Sequence, residues 1–402
     1  MAMSREQRRA LLKQHGGHVG RLPAGTVAFD FSTDSWAHLE APYIDARMAV
    51  LRQRAARAPQ DLQQWLAARF PFRHFVVTRR GRDAEALLFT ALAQPGSLIA
   101  QNLLFHTARD HQQEQSMTPL ELPATGALEP TPAPFKGDLD LAGLERALAE
   151  RQVSLIFVEA LSNGAGGQAI SLAGLRAVRA LSRAHHVPLY LDATRLVENC
   201  LLIQAHEAGA AGHSLAEIMQ ALLACCDGMT ASCSKDYGFA GGGLLATQSA
   251  PLFAQAQALL PAAGTALADA DRACLAHALA DWPFIETQAA ERLRQTQWLG
   301  NGLQALGFPV HTPIGGHCVI LDLSLVPGLR HAADPVSAYL AWLYEHTGMR
   351  GSPHWGGCAP AYQRPLWIRL AVPLGFPEER LHAALGAVGQ LAQSAPAWRN
   401  LG

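Results

Sequence analysis

At 402 residues the chain is long enough for two domains with a substantial core. Hydrophobic residues make up 49%, charged residues 16%, and the formal net charge is −1, a balance that argues against a nucleic-acid binder. Apolar runs are broken by charges or proline well short of a membrane span. The charged start Met1–Arg9 leads into an amphipathic helix with no signal-peptide core, so a cytoplasmic protein is expected. The seven cysteines are odd in number and lack metal-ligand spacing, so reduced thiols and no metal site are expected.

Residues 4–14 read as a short helix. Val27–Phe31 is a strand that delivers the polar cluster Ser32–Ser35, suited to the rim of a pocket. A helical period runs from Tyr43 to Ala68 and stops before Pro71. Phe75–Thr78 is a short strand, and Arg79–Phe89 turns into a helix. A strand, a basic turn containing glycine and a helix start together make an anion site, because backbone N–H groups, the helix dipole and guanidinium donors point the same way. Arg80, Gly81 and Arg82 are therefore candidate phosphate ligands. Solvated surface arginines are the alternative.

Strands 97–101, 153–158 and 187–191 then alternate with helices 107–114, 141–149 and 172–184, while Pro123–Lys136 is a loop. Short apolar strands alternating with helices predict a mostly parallel sheet covered on both faces, an α/β fold. Ligands of such sheets sit beyond the carboxyl ends of the strands, where Asn163, Asp192 and Arg195 fall. Asp192 is either a helix N-cap or a carboxylate facing a cationic ligand nitrogen.

Lys235 lies in Ala231–Tyr237, which runs into Gly241–Leu245, and belongs to no amphipathic pattern. A lysine in such a setting can lose its proton and form a Schiff base with a carbonyl cofactor, and a solvated loop lysine is the alternative. From Pro251 to Asn301 the chain is a string of helices. Strands at Phe308–His311, Cys318–Asp322 and Leu366–Val372, with helices at 335–347 and 378–393, predict a smaller α+β domain. Arg369 interrupts an apolar strand and needs an anion, either a ligand carboxylate or an internal partner.

A Schiff-base lysine, an upstream aspartate for a pyridinium nitrogen, a glycine–arginine phosphate cradle and a carboxylate-seizing arginine together describe a pyridoxal phosphate enzyme. The chain resembles the tryptophanase and tyrosine phenol-lyase family of beta-eliminating lyases, which have the aspartate-aminotransferase fold, fold type I. The resemblance covers nearly the whole chain and is carried by Ser162–Gln168, Leu191–Asn199, Asp227–Asp236, Gly315–His317 and Ile368–Pro373, with weaker support from Phe135–Asp140 and Thr33–Ser35.

The resemblance implies a large domain over residues 36–290 with a mostly parallel, seven-stranded sheet, and a small α+β domain of residues 1–35 and 291–402. It implies pyridoxal 5'-phosphate bound through Lys235, with Asp192 at the ring nitrogen and Arg195 and Asn163 at the phenolic oxygen. Phe105 would stack on the ring, and Arg80, Gly81, Arg82 and Ser232 would hold the phosphate. Arg369, helped by Ser35 and neighbouring Thr33, would take the substrate carboxylate. An active site at a subunit interface implies a homodimer or homotetramer.

The departures concern the substrate. The family's loop after Thr-Asp-Ser, with its Glu and its proton-donating Tyr, is shortened here to Trp36–Tyr43; the first of two consecutive lysines is Ser234, and a glycine of the phosphate turn is Asp83. His106 stands beside the stacking Phe, and His354 near the phenol-lyases' specificity arginine. Two histidines at the leaving-group end suit a polar or anionic side chain, or a protonating role near neutral pH; surface histidines are the alternative. The expected activity is removal or replacement of a β or γ substituent of an L-amino acid other than tryptophan or tyrosine. Aminotransfer, aldol-type cleavage and decarboxylation remain as alternatives, as does an inactive interaction protein that keeps the cofactor.

Overall fold

A computed structural model describes residues 3–35, 41–58, 60–326, 329, 333–354 and 366–394. The first strand, β1 (Phe29–Asp30), lies outside the main sheet. That sheet is built from β2 (His74–Thr78), β3 (Leu98–Gln101), β4 (Thr118–Glu121), β5 (Val153–Glu159), β6 (Leu189–Asp192), β7 (Gly228–Ser232) and β8 (Gly243–Thr247), in the order β2-β8-β7-β6-β5-β3-β4. All neighbours are parallel except β8, which runs antiparallel to both β7 and β2.

Successive side chains of a strand point to opposite faces, and here both faces are apolar. Ile156 and Val158 of β5 join one buried cluster with Leu189 and Leu191 of β6, while Leu155, Phe157 and Tyr190 join the cluster on the other side. The second face is covered by helices Gly81–Ala91 and Ala250–Ala263, which contribute Leu87, Leu88, Phe89, Leu252 and Ala256. Both faces are therefore dry, and only the strand ends are open to a ligand.

A third apolar cluster draws on Leu12–Phe31 and Leu299–Leu391. It covers one face of a three-stranded antiparallel sheet of β9 (Cys318–Asp322), β11 (Ser352–His354) and β12 (Trp367–Ala371), in the order β11-β12-β9. Between these strands in sequence, β10 (Met349–Arg350) pairs in parallel with β1. The long helix Trp282–Ala305 packs at one end on the large cluster through Ile285 and Ala289 and at the other on this one through Leu299 and Leu303. Among the described residues no helix is long and apolar enough to cross a membrane.

Several local expectations are corrected. The helix expected over Tyr43–Ala68 is two helices, Ala41–Arg57 and Leu62–Arg69, because Asp61 accepts from the backbone N–H groups of Gln63 and Gln64 and starts the second afresh. The strand expected at Val27–Phe31 shrinks to Phe29–Asp30, and Phe308–His311 forms a single bridge, Val310 to Leu321, instead of a strand. β4, β7 and β8 are strands that the sequence pattern does not announce. The shortened stretch Trp36–Tyr43 lies mostly outside the described residues.

Candidate active site

β5, β6 and β7 end side by side on Glu159, Asp192 and Ser232, and these ends open on a cavity of about 680 Å³. Opposite β7 the cavity wall is the start of helix Gly81–Ala91. The first turn of a helix leaves N–H groups without intrahelical partners, and the N-cap residue Arg80 supplies no side-chain cap. Gly81 is required here by proximity, since a Cβ on it would stand 2.5 Å from Ser232 Cβ and 2.7 Å from Ser232 Cα. Thr78 Oγ1 donates to Arg80 O at 2.8 Å, and Gly242 N–H donates to Arg79 O at 2.8 Å, pinning the turn to the end of the sheet. Arg80, Arg82 and Ser232 line the wall around it.

The floor is acidic, and burial raises its carboxyls. Burial pushes the Asp192 carboxyl up, although its Oδ1 accepts the Thr194 N–H at 3.0 Å. Burial, with Asp192 nearby, raises Glu159 to about 8, and Glu85 is raised well above the usual carboxylate range by the same two causes. Glu159 also places two neighbours: its Oε2 accepts the Phe105 N–H at 3.0 Å, and its Oε1 receives Arg195 Nη1 at 3.4 Å.

Asp34 is shifted in the opposite direction. It is 1% exposed, accepts Arg195 Nε at 2.7 Å and Lys235 Nζ at 2.9 Å, and is held well below the carboxylate range by Arg195 and Lys235 against the cost of its burial. Burial lowers Lys235 to about 8, with Asp34 opposing that shift and Arg195 adding to it. Of the chain's three lysines, Lys13, Lys136 and Lys235, only Lys235 lines the cavity.

Arg369, on β12, reaches the same cavity from the small sheet. Its Nη1 donates to Asn163 Oδ1 and its Nη2 to Ser32 O, both at 3.2 Å, while its buried Nε has no partner among the described residues. Its guanidinium carbon is 5.9 Å from the centroid of the Phe105 ring. Among the described residues no carboxylate bonds to it, which leaves the cation available to an anionic ligand.

Thr33, Ser35, Arg80, Gly81, Arg82, Phe105, Asp192, Arg195, Ser232, Lys235 and Arg369 all line this one cavity. Asn163 is buried behind Arg369. Neither histidine expected at the leaving-group end lines the wall. His106 packs against Phe105 with ring centroids 4.1 Å apart, and burial lowers its pKa. His354 stacks on Trp367 at 5.6 Å, and burial with Arg369 nearby takes it to about 3, so it is neutral rather than a proton donor at neutral pH. Asp34, Glu85, Glu159 and Thr194 line the cavity without having been assigned a role from the sequence, as does Ser234, noted there only for standing in place of a lysine. Glu159 had the signal used for Asp192, a carboxylate ending an apolar strand; Glu85 sits inside an Ala- and Leu-rich helix and had none.

The model of the beta-eliminating lyase family matches residues 31–386. A tyrosine phenol-lyase of Clostridium tetani is 31% identical over 364 residues, covering 87% of this chain and 78% of that one. A tryptophanase of Hyphomonas neptunium is 32% identical over 359 residues, covering 86% and 79%. Among solved structures, a PLP-dependent cyclase, OrfR, superposes with TM-score 0.66 at 18% identity over 95% of this chain and 96% of its own. N-succinyldiaminopimelate aminotransferase of Mycobacterium tuberculosis superposes with TM-score 0.65 at 17% identity over 97% of each chain. The site suits the cofactor: the glycine cradle would be filled by any Cβ, a buried carboxylate ends β6, and one lysine faces the space between them. The chain belongs to the beta-eliminating lyase family and is a pyridoxal 5'-phosphate-dependent lyase of fold type I.

Proposed function

We propose that this enzyme removes, or exchanges for a nucleophile, a β or γ substituent of an L-amino acid other than tryptophan or tyrosine. The observation that carries the reading is that Lys235, alone among the lysines, shares one cavity with Arg369, whose Nε is unpartnered among the described residues. When bound, pyridoxal phosphate supplies a sink for the electron pair left by a bond broken at the substrate's α carbon. Arg80, Gly81, Arg82 and Ser232 would hold its phosphate, Phe105 would cover one ring face, and Asp192 and Arg195 would stand at the ring nitrogen and the phenolic oxygen.

Arg369 takes the substrate's carboxylate as a planar, charge-assisted pair, with the Ser35 hydroxyl and Thr33 on the same wall. This orients the α carbon toward Lys235. A lysine brought to about 8 can both accept and return a proton near neutral pH, which is the requirement for a general base at that carbon. The case for a different side chain comes from the sequence: the stretch Trp36–Tyr43 is shorter than the loop expected of phenol-lyases and tryptophanases, and its Glu40 and Tyr43 do not align with that loop's Glu and Tyr. The same reading makes the enzyme a cytoplasmic homo-oligomer.

The test is to incubate the cofactor-loaded protein with a panel of L-amino acids and assay keto acid and ammonia together. One panel member should yield both in equal amounts, and Lys235→Ala should yield neither. Keto acid without ammonia, with the amino group retained on the cofactor, would establish aminotransfer instead. Turnover of tryptophan or tyrosine equal to the best panel member would overturn the substrate assignment.

A further inference from the structure

We propose that Asp34 is a positioning residue that holds the Lys235 nitrogen and the Arg195 guanidinium in one buried ion triad and keeps that nitrogen protonated. This rests on Lys235 being the lysine that bonds the cofactor. Each oxygen of Asp34 is used. Oδ1 takes Lys235 Nζ at 2.9 Å and Arg195 Nη2 at 3.2 Å, and Oδ2 takes Arg195 Nε at 2.7 Å. Arg292, from the long helix, approaches Oδ2 only to 3.9 Å and bonds instead to Glu198 and Asp236. Buried His317 faces Asp34 from the loop before β9, while Arg369 and Asp192 are the other charged groups acting on Lys235.

The placement has a second consequence. Asp34 rides on a segment fixed to the small sheet, where Phe31 O accepts the Ala371 N–H at 2.8 Å and Ser32 O accepts Arg369 Nη2 at 3.2 Å. Three consecutive residues, Ser32 to Asp34, therefore bind both the arginine that seats a carboxylate and the lysine that moves a proton. A fixed negative charge against a nitrogen favours its protonated form whether that nitrogen is free or joined to a carbonyl carbon, and removing such a charge lowers the pKa by about 1–3 units.

The experiment is a pH titration of the visible absorbance of the cofactor-loaded protein, which reads the protonation of the lysine nitrogen independently of turnover. Asp34→Asn should move the midpoint down by at least about one unit, a tenfold change in proton affinity. Asp34→Glu should restore most of it. Glu159→Gln removes the other carboxylate on Arg195 but not a contact of Lys235, and should shift the midpoint far less. An unmoved midpoint in Asp34→Asn, or equal shifts in Asp34→Asn and Glu159→Gln, overturns the proposal. If Asp34→Asn fails to load cofactor, amine labelling of the apo-protein against pH, resolved by peptide mass for each of the three lysines, reads the same proton. A downward shift at Lys235 alone then supports the proposal, and an unmoved Lys235 profile overturns it. Borohydride reduction of the loaded wild type, with mapping of the modified lysine, separates the two failures: attachment away from Lys235 refutes the functional reading itself.

Discussion

Replacing Gly81 with alanine tests the cradle directly. The added Cβ would stand 2.5 Å from Ser232 Cβ and 2.7 Å from Ser232 Cα. Carbon atoms rest at about 3.5–4.0 Å, so the start of helix Gly81–Ala91 and the end of β7 must separate by roughly 1 Å. Ser232 cannot swing aside, because one of the clashing atoms is its backbone and its N–H is held by Thr194 Oγ1 at 3.1 Å. Overpacking of this kind costs about 1–3 kcal/mol. Because the displaced surfaces are the proposed phosphate seat, the cost should fall on cofactor affinity, raising Kd by about 5- to 150-fold. Visible-absorbance titration of apo-protein with pyridoxal phosphate measures this, and thermal unfolding of the apo-protein controls for global damage. Wild-type affinity in a folded Gly81→Ala protein would show that the helix start and β7 do not meet as described.

Arg292→Leu should destabilise the protein by about 3–5 kcal/mol at pH 8, because it strands the buried Glu198 and Asp236 carboxylates. Stranded carboxyls bind protons more readily in the folded than in the unfolded chain, so the deficit should shrink as pH falls; a pH-independent deficit in urea unfolding would contradict this. His311 is 1% exposed, packs on Trp367 at 4.5 Å, has no partner for either ring nitrogen among the described residues, and is lowered to about 4 by burial and Lys136. A depressed histidine contributes stability that is complete above its unfolded pKa of about 6.5 and is lost as pH falls toward 4, by roughly 3 kcal/mol at full expression. His311→Phe should therefore flatten the fall in Tm between pH 6.5 and 4 without loss at pH 8, and an unchanged slope would refute the assignment. Arg369→Gln should lower kcat/KM by about 100-fold or more through lost charge-assisted bonds while leaving cofactor affinity intact. An unchanged KM would remove Arg369 from the carboxylate seat.

The large sheet was legible where strands are apolar runs of β-branched and aromatic residues, as in β2, β5 and β6. β7 and β8 escaped because Gly228, Ala231, Ser232, Gly243 and Ala246 are small residues with little preference for extended chain. They are held there by neighbours: β8 lies between β2 and β7, and a Cβ on Gly228 would meet the Tyr190 ring at 2.2 Å. The break between the two early helices was written in Pro59 and Asp61 but hidden under a continuous alanine, arginine and leucine period. Most proposed site residues fall on one cavity because strand ends and helix starts, which sequence does mark, are where such folds expose polar groups. Side-chain direction is not so marked, and for that reason His354, one strand away from Arg369, points into Trp367 instead. Lys235 had a plainer sequence signal than its motif, since only two other lysines compete with it.

The bond from Arg369 to Ser32 joins positions 337 residues apart in the chain. A ribosome adding about 5–20 residues per second would take some 20–70 s to cover that distance. For nearly all of that interval Asp34 has been synthesised, and for the later part Lys235 has too, but the strand that carries Arg369 and fixes Phe31 has not. A nascent chain stalled before β12 would thus carry the proposed cofactor cradle and the proposed reactive amine without the proposed seat for an amino acid's carboxylate and without the strand that anchors Phe31. If Lys235 and Arg369 play the roles proposed, synthesis of β12, rather than folding of the large sheet, is the step that gives the lysine its selectivity.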